Sequence, residues 1–411
     1  MSKSGIINQY LTGLTVVFFI LIVGILLELF VPLQLYNQIQ FPLNAEIGIL
    51  YICLLFIIHA YYRRKKPVQW LRSIPAAVSA ISLFTLLSLM MGFIPQFHDS
   101  QNSSLFQKLG LNSIRTTWYF LLSGLFLLTS LGLTIFKRLK EFTLKNTGFF
   151  MNHFGLFLVI LAGSLGSADL YRLSIRVQEG EASNIGYDRD SKAYELPFKI
   201  RLKDFQIDEY NPKVAFISNQ DRKIIKDLKP NPFEVSANEE ITVGSFIITV
   251  EKFYPHAKIS EEGLIAVEDT SNTFPAALLE VTDRNTGETK SQWISSGNHK
   301  LPPVFMKLDE QYSLAMMNPQ PKKYRSLVTI FTDEGRQSRI IEVNQPVKIK
   351  GWKLYQSGYD QQKGKDSEIS IFEAVRDPWL PVVYTGLFMM LLGGVYLLWI
   401  EKEKNPEKKK N

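Results

Sequence analysis

The strongest constraint on this chain is where its apolar residues fall. Runs long enough to cross a bilayer fill the first 166 residues and return once near the C-terminus, and the stretch between them has the composition of a soluble protein. Hydrocarbon offers no partner for a backbone N–H or C=O, so each run must fold as a helix of about 20 residues. Six spans are expected, over 11–31, 45–62, 74–94, 117–136, 148–165 and 379–400. The second is short and carries His59, so it reads either as a span or as a buried or re-entrant helix.

The middle stretch alternates at period two. In "FKIRLKDFQI", Phe198, Ile200 and Leu202 alternate with Lys199, Arg201 and Lys203; Ile241, Val243, Phe246, Ile248 and Val250 follow the same rule. Such patterns, bounded by Gly, Pro, Asn and Asp, imply antiparallel strands. The expected fold class is an α-helical membrane domain of about six spans with a large β-rich extracytoplasmic domain. It divides into two N-terminal spans (1–70), three core spans (71–166), the β-rich domain (167–378), and a final span with a basic tail (379–411).

Charge sets the expected orientation. The net charge of +7 gathers at the ends of the apolar runs. "YRRKKPVQWLR" follows the second span, "KRLKEFTLK" separates the fourth and fifth, and "EKEKNPEKKKN" follows the sixth. Placing these on the inner side puts both termini in the cytoplasm and the β-rich domain outside an inner, multi-pass membrane location. Trp118 and Trp379 then mark the outer boundary, and Trp70 and Trp399 the inner one. A charge so distributed is a topology signal and gives no nucleic-acid-binding face. The N-terminal run has no small-residue cleavage site and is expected to remain as a helix. Cys53 is the only cysteine, so the chain has no intrachain disulfide, no CxxC pair and no CxxCH haem-attachment site.

The informative candidate is His153, inside the fifth span about 12 Å from the flanking Lys145. An imidazole at that depth needs a cavity, a ligand or a partner. It can ligate haem iron or hydrogen-bond to a neighbouring helix. His98, beyond the third span, reads as an exposed loop residue and, as a ligand candidate, would sit at the outer surface. His59 lies one turn before "RRKK", where interfacial polarity explains it as readily as a share in the same entry region. Glu28 is expected to reach the outer interface. His256 and His299 read as separate surface residues without a metal-ligand cluster. There is no GxSxG elbow, no GxxxxGK phosphate loop and no paired acid and base.

Several landmarks taken in order resemble the ResB family of system II cytochrome c biogenesis. "SIPAAVSAISLFTLLSLMMGFIPQ", "RTTWYFLLSGLFLLTSLGL" and "MNHFGLFLVILAG" are similar to its first three core helices. "ELPFKIRLKDFQIDEY" resembles the opening of its outer domain. "EVNQPVKIKGWKLYQSGYD" resembles the closing motif, with Asn344, Pro346, Tyr355 and Gln356 at the family positions, and "RDPWLPVVYTGLFMMLLGG" resembles the run into the last helix. The resemblance runs from Leu71 to the end, and the two spans before it are additional to the family's plan. It implies a subunit that works with a ResC/CcsA-type membrane partner. Together they would move haem b, as transported substrate, across the membrane and deliver it to the CxxCH cysteines of apocytochrome c. The family's membrane histidine corresponds to His153, which implies an axial ligand to haem iron. The partner would carry the tryptophan-rich segment, since the six tryptophans here are dispersed. The chain would then be the non-catalytic or co-catalytic half of a holocytochrome c synthase. The competing expectation is a membrane-anchored envelope scaffold or sensor that never meets haem.

Overall fold

The helix 118–139 organises one half of the molecule. In this computed structural model, which describes residues 3–31, 39–96, 105–139, 143, 146–260, 263–268 and 272–404, the chain forms two units, Met1–Tyr171 with Arg376–Asn411 and Arg172–Val375. The first unit contains α1 (Lys3–Phe30), α2 (Leu43–Tyr62), α3 (Lys66–Leu71), α4 (Ile74–Phe93), α5 (Leu105–Lys108), α6 (Trp118–Leu139), α7 (Thr147–Leu165) and α8 (Leu380–Lys404). All but α3 and α5 are long and apolar enough to cross a membrane, giving six among the described residues. The second candidate span is one unbroken 20-residue helix. In α6, 61% of the apolar window is buried inside the protein, against 11–28% in the other five, so α6 is the hub of the bundle.

Small residues and polar caps set how the helices meet. On α7, Gly148 and Gly155 face Gly393 and Gly386 of α8, and a Cβ at Gly155 would lie 2.5 Å from the Gly386 carbonyl oxygen. Where no hydrophobic force drives helices together, close backbone approach of this kind maximises van der Waals contact. Glu28 packs at the start of α6, beside Trp118. It is buried (9% exposed), and its Oε2 accepts the Trp118 backbone N–H at 3.0 Å. A carboxylate there satisfies one of the orphan donors at the start of α6. The Trp118 indole in turn donates to the Val31 carbonyl at 2.6 Å.

A second polar knot forms where α2 begins, α7 ends and α8 begins. Asp169 accepts the Phe41 N–H at 3.0 Å, the Asn44 amide at 2.7 Å and the Trp379 indole N–H at 2.6 Å. Asn44 also donates to the Leu165 carbonyl at 2.9 Å. Each of these groups would otherwise lie unpaired near hydrocarbon, where that is costly.

The second unit is built of antiparallel sheets. Eight strands run in the order Gly335–Glu342, Pro321–Thr332, Ala193–Glu209, Ala182–Tyr187, Tyr171–Gln178, Ile369–Arg376, Trp352–Tyr359, Val347–Ile349. The expected alternation holds: Phe198, Ile200 and Leu202 are buried, and Lys199, Arg201 and Lys203, which alternate with them, are exposed. The remaining strands lie in a five-stranded and a four-stranded sheet. These two share one core around Phe216, Phe246, Ile248, Leu279, Leu314 and Met316. The sandwich is an insertion in the larger sheet. The chain leaves at Glu209 and returns at Pro321, residues paired across adjacent strands.

The closing motif of the sequence now has a physical reading. Asn344 stands at φ 63°, a left-handed conformation that Asn tolerates well. Lys350 and Gly351, both at positive φ, form the two-residue hairpin turn between Ile349 and Trp352. Gln356 is buried (5%) with Ser326 and Ser370. Its Oε1 accepts from Ser326 Oγ at 2.7 Å, and its Nε2 donates to Ser370 Oγ at 2.8 Å and to the Gly358 carbonyl at 3.0 Å.

Candidate functional site

His153 sits six residues into α7, about 9 Å along the helix from its start. The run around it carries no charge, and its helical register is held by the glycine contacts with α8. The imidazole Nδ1 lies 2.9 Å from the Phe149 carbonyl oxygen one turn earlier. A carbonyl only accepts, so Nδ1 carries the proton and Nε2 keeps its lone pair. Nε2 has no hydrogen-bond partner among the described residues, and the side chain is half-buried. A ring tied through one nitrogen and open at the other is how an imidazole is fixed for ligation.

The surroundings extend this arrangement. The Phe149 ring stacks on the His153 ring with centroids 3.7 Å apart. The Arg138 guanidinium lies over the Phe149 ring, 4.5 Å from its centroid, and donates to Asn146 Oδ1 at 3.4 Å. A positive charge therefore touches the same ring as the imidazole, on the side of the helix ends rich in Lys and Arg. His59 lies against Phe136 of α6, ring centroids 6.0 Å apart, while His153 contacts Phe149 of its own helix. His98 lies outside the described residues.

The β unit holds a polar cluster that the sequence spacing conceals. His299 is exposed, as expected of a surface residue, and His256 is half-buried; both meet the turn Gly364–Asp366. Lys365 Nζ donates to Thr273 Oγ1 at 2.6 Å and lies 3.3 Å from His256 Nδ1. Asp366 accepts the Asn272 N–H at 2.7 Å and lies 3.4 Å from His299 Nδ1. This turn joins neighbouring strands of the eight-stranded sheet, so the cluster latches that sheet to the sandwich. Burial is the main cause that holds Lys365 below the usual lysine range, against the pull of Glu209 and Asp366. Burial, then Lys365, also holds His256 below its usual range, and burial pushes the Glu209 carboxyl up. A cleft of about 780 Å³ opens beside the turn, lined by Asp204, Asp208, Glu209 and Glu368 among others. No group of three His, Cys, Asp or Glu side chains among the described residues can hold a metal ion. No signal in the sequence links positions 256, 273, 299 and 365, because they meet only when the two layers pack.

No curated protein matches the chain. The sequence model of the ResB-like family matches residues 140–306 and 282–374, more than half of the chain. The matched residues contain α7 with His153, the eight-stranded sheet with its Gln356 network, and the inserted sandwich. The helices before α7 lie outside them. This chain is a multi-pass membrane protein that belongs to the ResB-like family, and its role is in cytochrome c biogenesis.

Proposed function

We propose that this chain takes haem b as its substrate within the membrane and passes it, with a ResC/CcsA-type membrane partner, to apocytochrome c. The observation that carries the reading is the His153 imidazole, proton fixed on Nδ1 by the Phe149 carbonyl and Nε2 open on a half-buried flank of α7. Neutral imidazole is an axial ligand for haem iron. Arg138, over the Phe149 ring, is a counter-charge for a propionate. The described residues leave this flank half-buried, so the partner supplies the second axial ligand and the other face of the macrocycle.

The Lys- and Arg-rich segments after α2 and between α6 and α7 support an orientation with those ends in the cytoplasm. The β unit then lies outside, both termini lie inside, and haem enters from the side nearer His153. On the outer side the reduced CxxCH thiols add across the haem vinyl groups. Each S–H adds to one C=C, so a C–S bond forms, the proton goes to the neighbouring carbon, and no oxidant is needed. The β unit docks partner or apocytochrome. Its hairpin through Gly263–Ala266 is a sheet edge that exposes Ile259 and Ile265, and a free edge accepts an extended peptide as an added strand.

The test is the absorbance of the co-purified pair. His153→Ala expressed with the partner is expected to lose most of its haem Soret absorbance and to regain it when imidazole is supplied. Unchanged haem content in the variant, or no haem in the wild-type pair, refutes the assignment.

A further inference from the structure

A groove between α2, α4, α6 and α7 holds a feature that the reading above does not use. Gly48 and Tyr51 of α2, Phe84 of α4, Gly124 of α6 and Leu161 of α7 line it, and Arg115 stands at its rim. Two glycines make the space: a Cβ at Gly124 would just reach Phe84 Cε2 at 3.7 Å, and one at Gly48 would meet Leu165 Cδ1 at 2.7 Å. The walls are mainly apolar, with Ser164 of α7 among them. The polar atom of Tyr51 is occupied, bonded to Thr129 Oγ1 at 2.8 Å. Arg115 is exposed and makes no hydrogen bond or ion pair with any described residue.

The depth of the groove identifies its surroundings. Its lining on each helix lies within about 15 Å of one set of ends, those where α2 and α6 begin and α4 and α7 end. That is one leaflet of a hydrocarbon core about 30 Å thick. The guanidinium stands just before α6, at the level where lipid headgroups lie. The volume is about 120 Å³, below the range of about 300–1,000 Å³ of pockets for compact ligands. It is too small for a macrocycle and suits a length of alkyl chain. His153 does not line it, since the α7 wall begins about 12 Å further along the helix.

We infer that this groove is a binding site for an anionic phospholipid, one acyl chain lying between α2, α4 and α6 and the phosphate on Arg115. Burying the chain removes apolar surface of Phe84, Leu125 and Leu128 from contact with mobile lipid, and the phosphate gives the guanidinium a bidentate partner.

The experiment uses the full chain, purified in detergent, with native mass spectrometry after addition of phosphatidylglycerol or phosphatidylcholine of matched chains. Wild type is expected to retain phosphatidylglycerol about fivefold better, the equivalent of about 1 kcal/mol for one basic residue at an anionic surface. Arg115→Gln should abolish the preference and Arg115→Lys should keep most of it, both with unchanged helical circular dichroism. Gly124→Leu, which fills the groove, should reduce retention of both lipids. Equal retention of the two lipids by wild type, or a preference that survives in Arg115→Gln, overturns the proposal. So does haem that displaces the bound phospholipid one for one, because the groove would then belong to a porphyrin.

Discussion

Replacing Gly155 by Ala tests whether glycine packing holds α7, and with it His153, in place. The added Cβ would lie 2.5 Å from the Gly386 carbonyl oxygen and 2.9 Å from Met390 Cγ and N. Ordinary contact starts at 3.4 Å, and the obstructing oxygen and nitrogen belong to the backbone. The α8 helix must therefore withdraw by about an ångström along much of its contact with α7. Overpacking of this kind costs about 1–3 kcal/mol, or roughly 5- to 150-fold in the equilibrium constant. Gly163→Ala is the matched control. It lies on the same helix with nothing within 4 Å of its added Cβ, so the intrinsic gain of about 1 kcal/mol for Ala over Gly applies equally to both variants. The assay is unfolding of the purified protein by SDS titration, followed by far-ultraviolet circular dichroism. Gly155→Ala should unfold at a clearly lower SDS fraction than Gly163→Ala, and should lose haem when expressed with the partner. Coincident curves for the two variants would show that the close approach contributes nothing, and the argument from glycine packing would fail.

Gln356→Ala should destabilise the β unit by about 1–3 kcal/mol, because it leaves two buried serine hydroxyls with only each other, at 2.8 Å, as partners. Tryptophan fluorescence during urea unfolding reads this, and a variant that also replaces Ser326 and Ser370 by Ala should recover part of the loss. The latch around Lys365 predicts a pH dependence. His256 is held below its usual value in the folded state, so the unfolded chain takes up the proton first. The stability it contributes is present above about pH 6.5 and is lost as pH falls below that value. Glu209, whose carboxyl is pushed up, acts in the opposite sense. The His256 share is therefore isolated by comparison with His256→Gln: wild type should weaken relative to the variant between pH 7 and pH 5. Parallel stability curves over that window would remove His256 from the account.

Periodicity and length made most of the architecture legible. The membrane helices must each satisfy their own backbone groups, so a run such as 74–94 announces its structure with no reference to the rest of the chain. The strand Ala193–Glu209 does nearly the same, because a sheet with one buried face imposes period two on its residues. His153 was legible for a related reason: a polar group in hydrocarbon stands out from its neighbours.

What only the tertiary structure decided is which distant groups meet. The Nδ1 bond that leaves Nε2 open, the Glu28 carboxylate on the first turn of α6, the Asp169 knot and the Lys365 latch all depend on contacts between residues far apart in sequence or on a side-chain rotamer. None produces a local pattern. The insertion of the sandwich into the larger sheet is likewise invisible, since each of its strands reads like any other. Local physics determines each element from its own residues, but the pairing of polar groups across elements is set by packing, and packing has no period in the sequence.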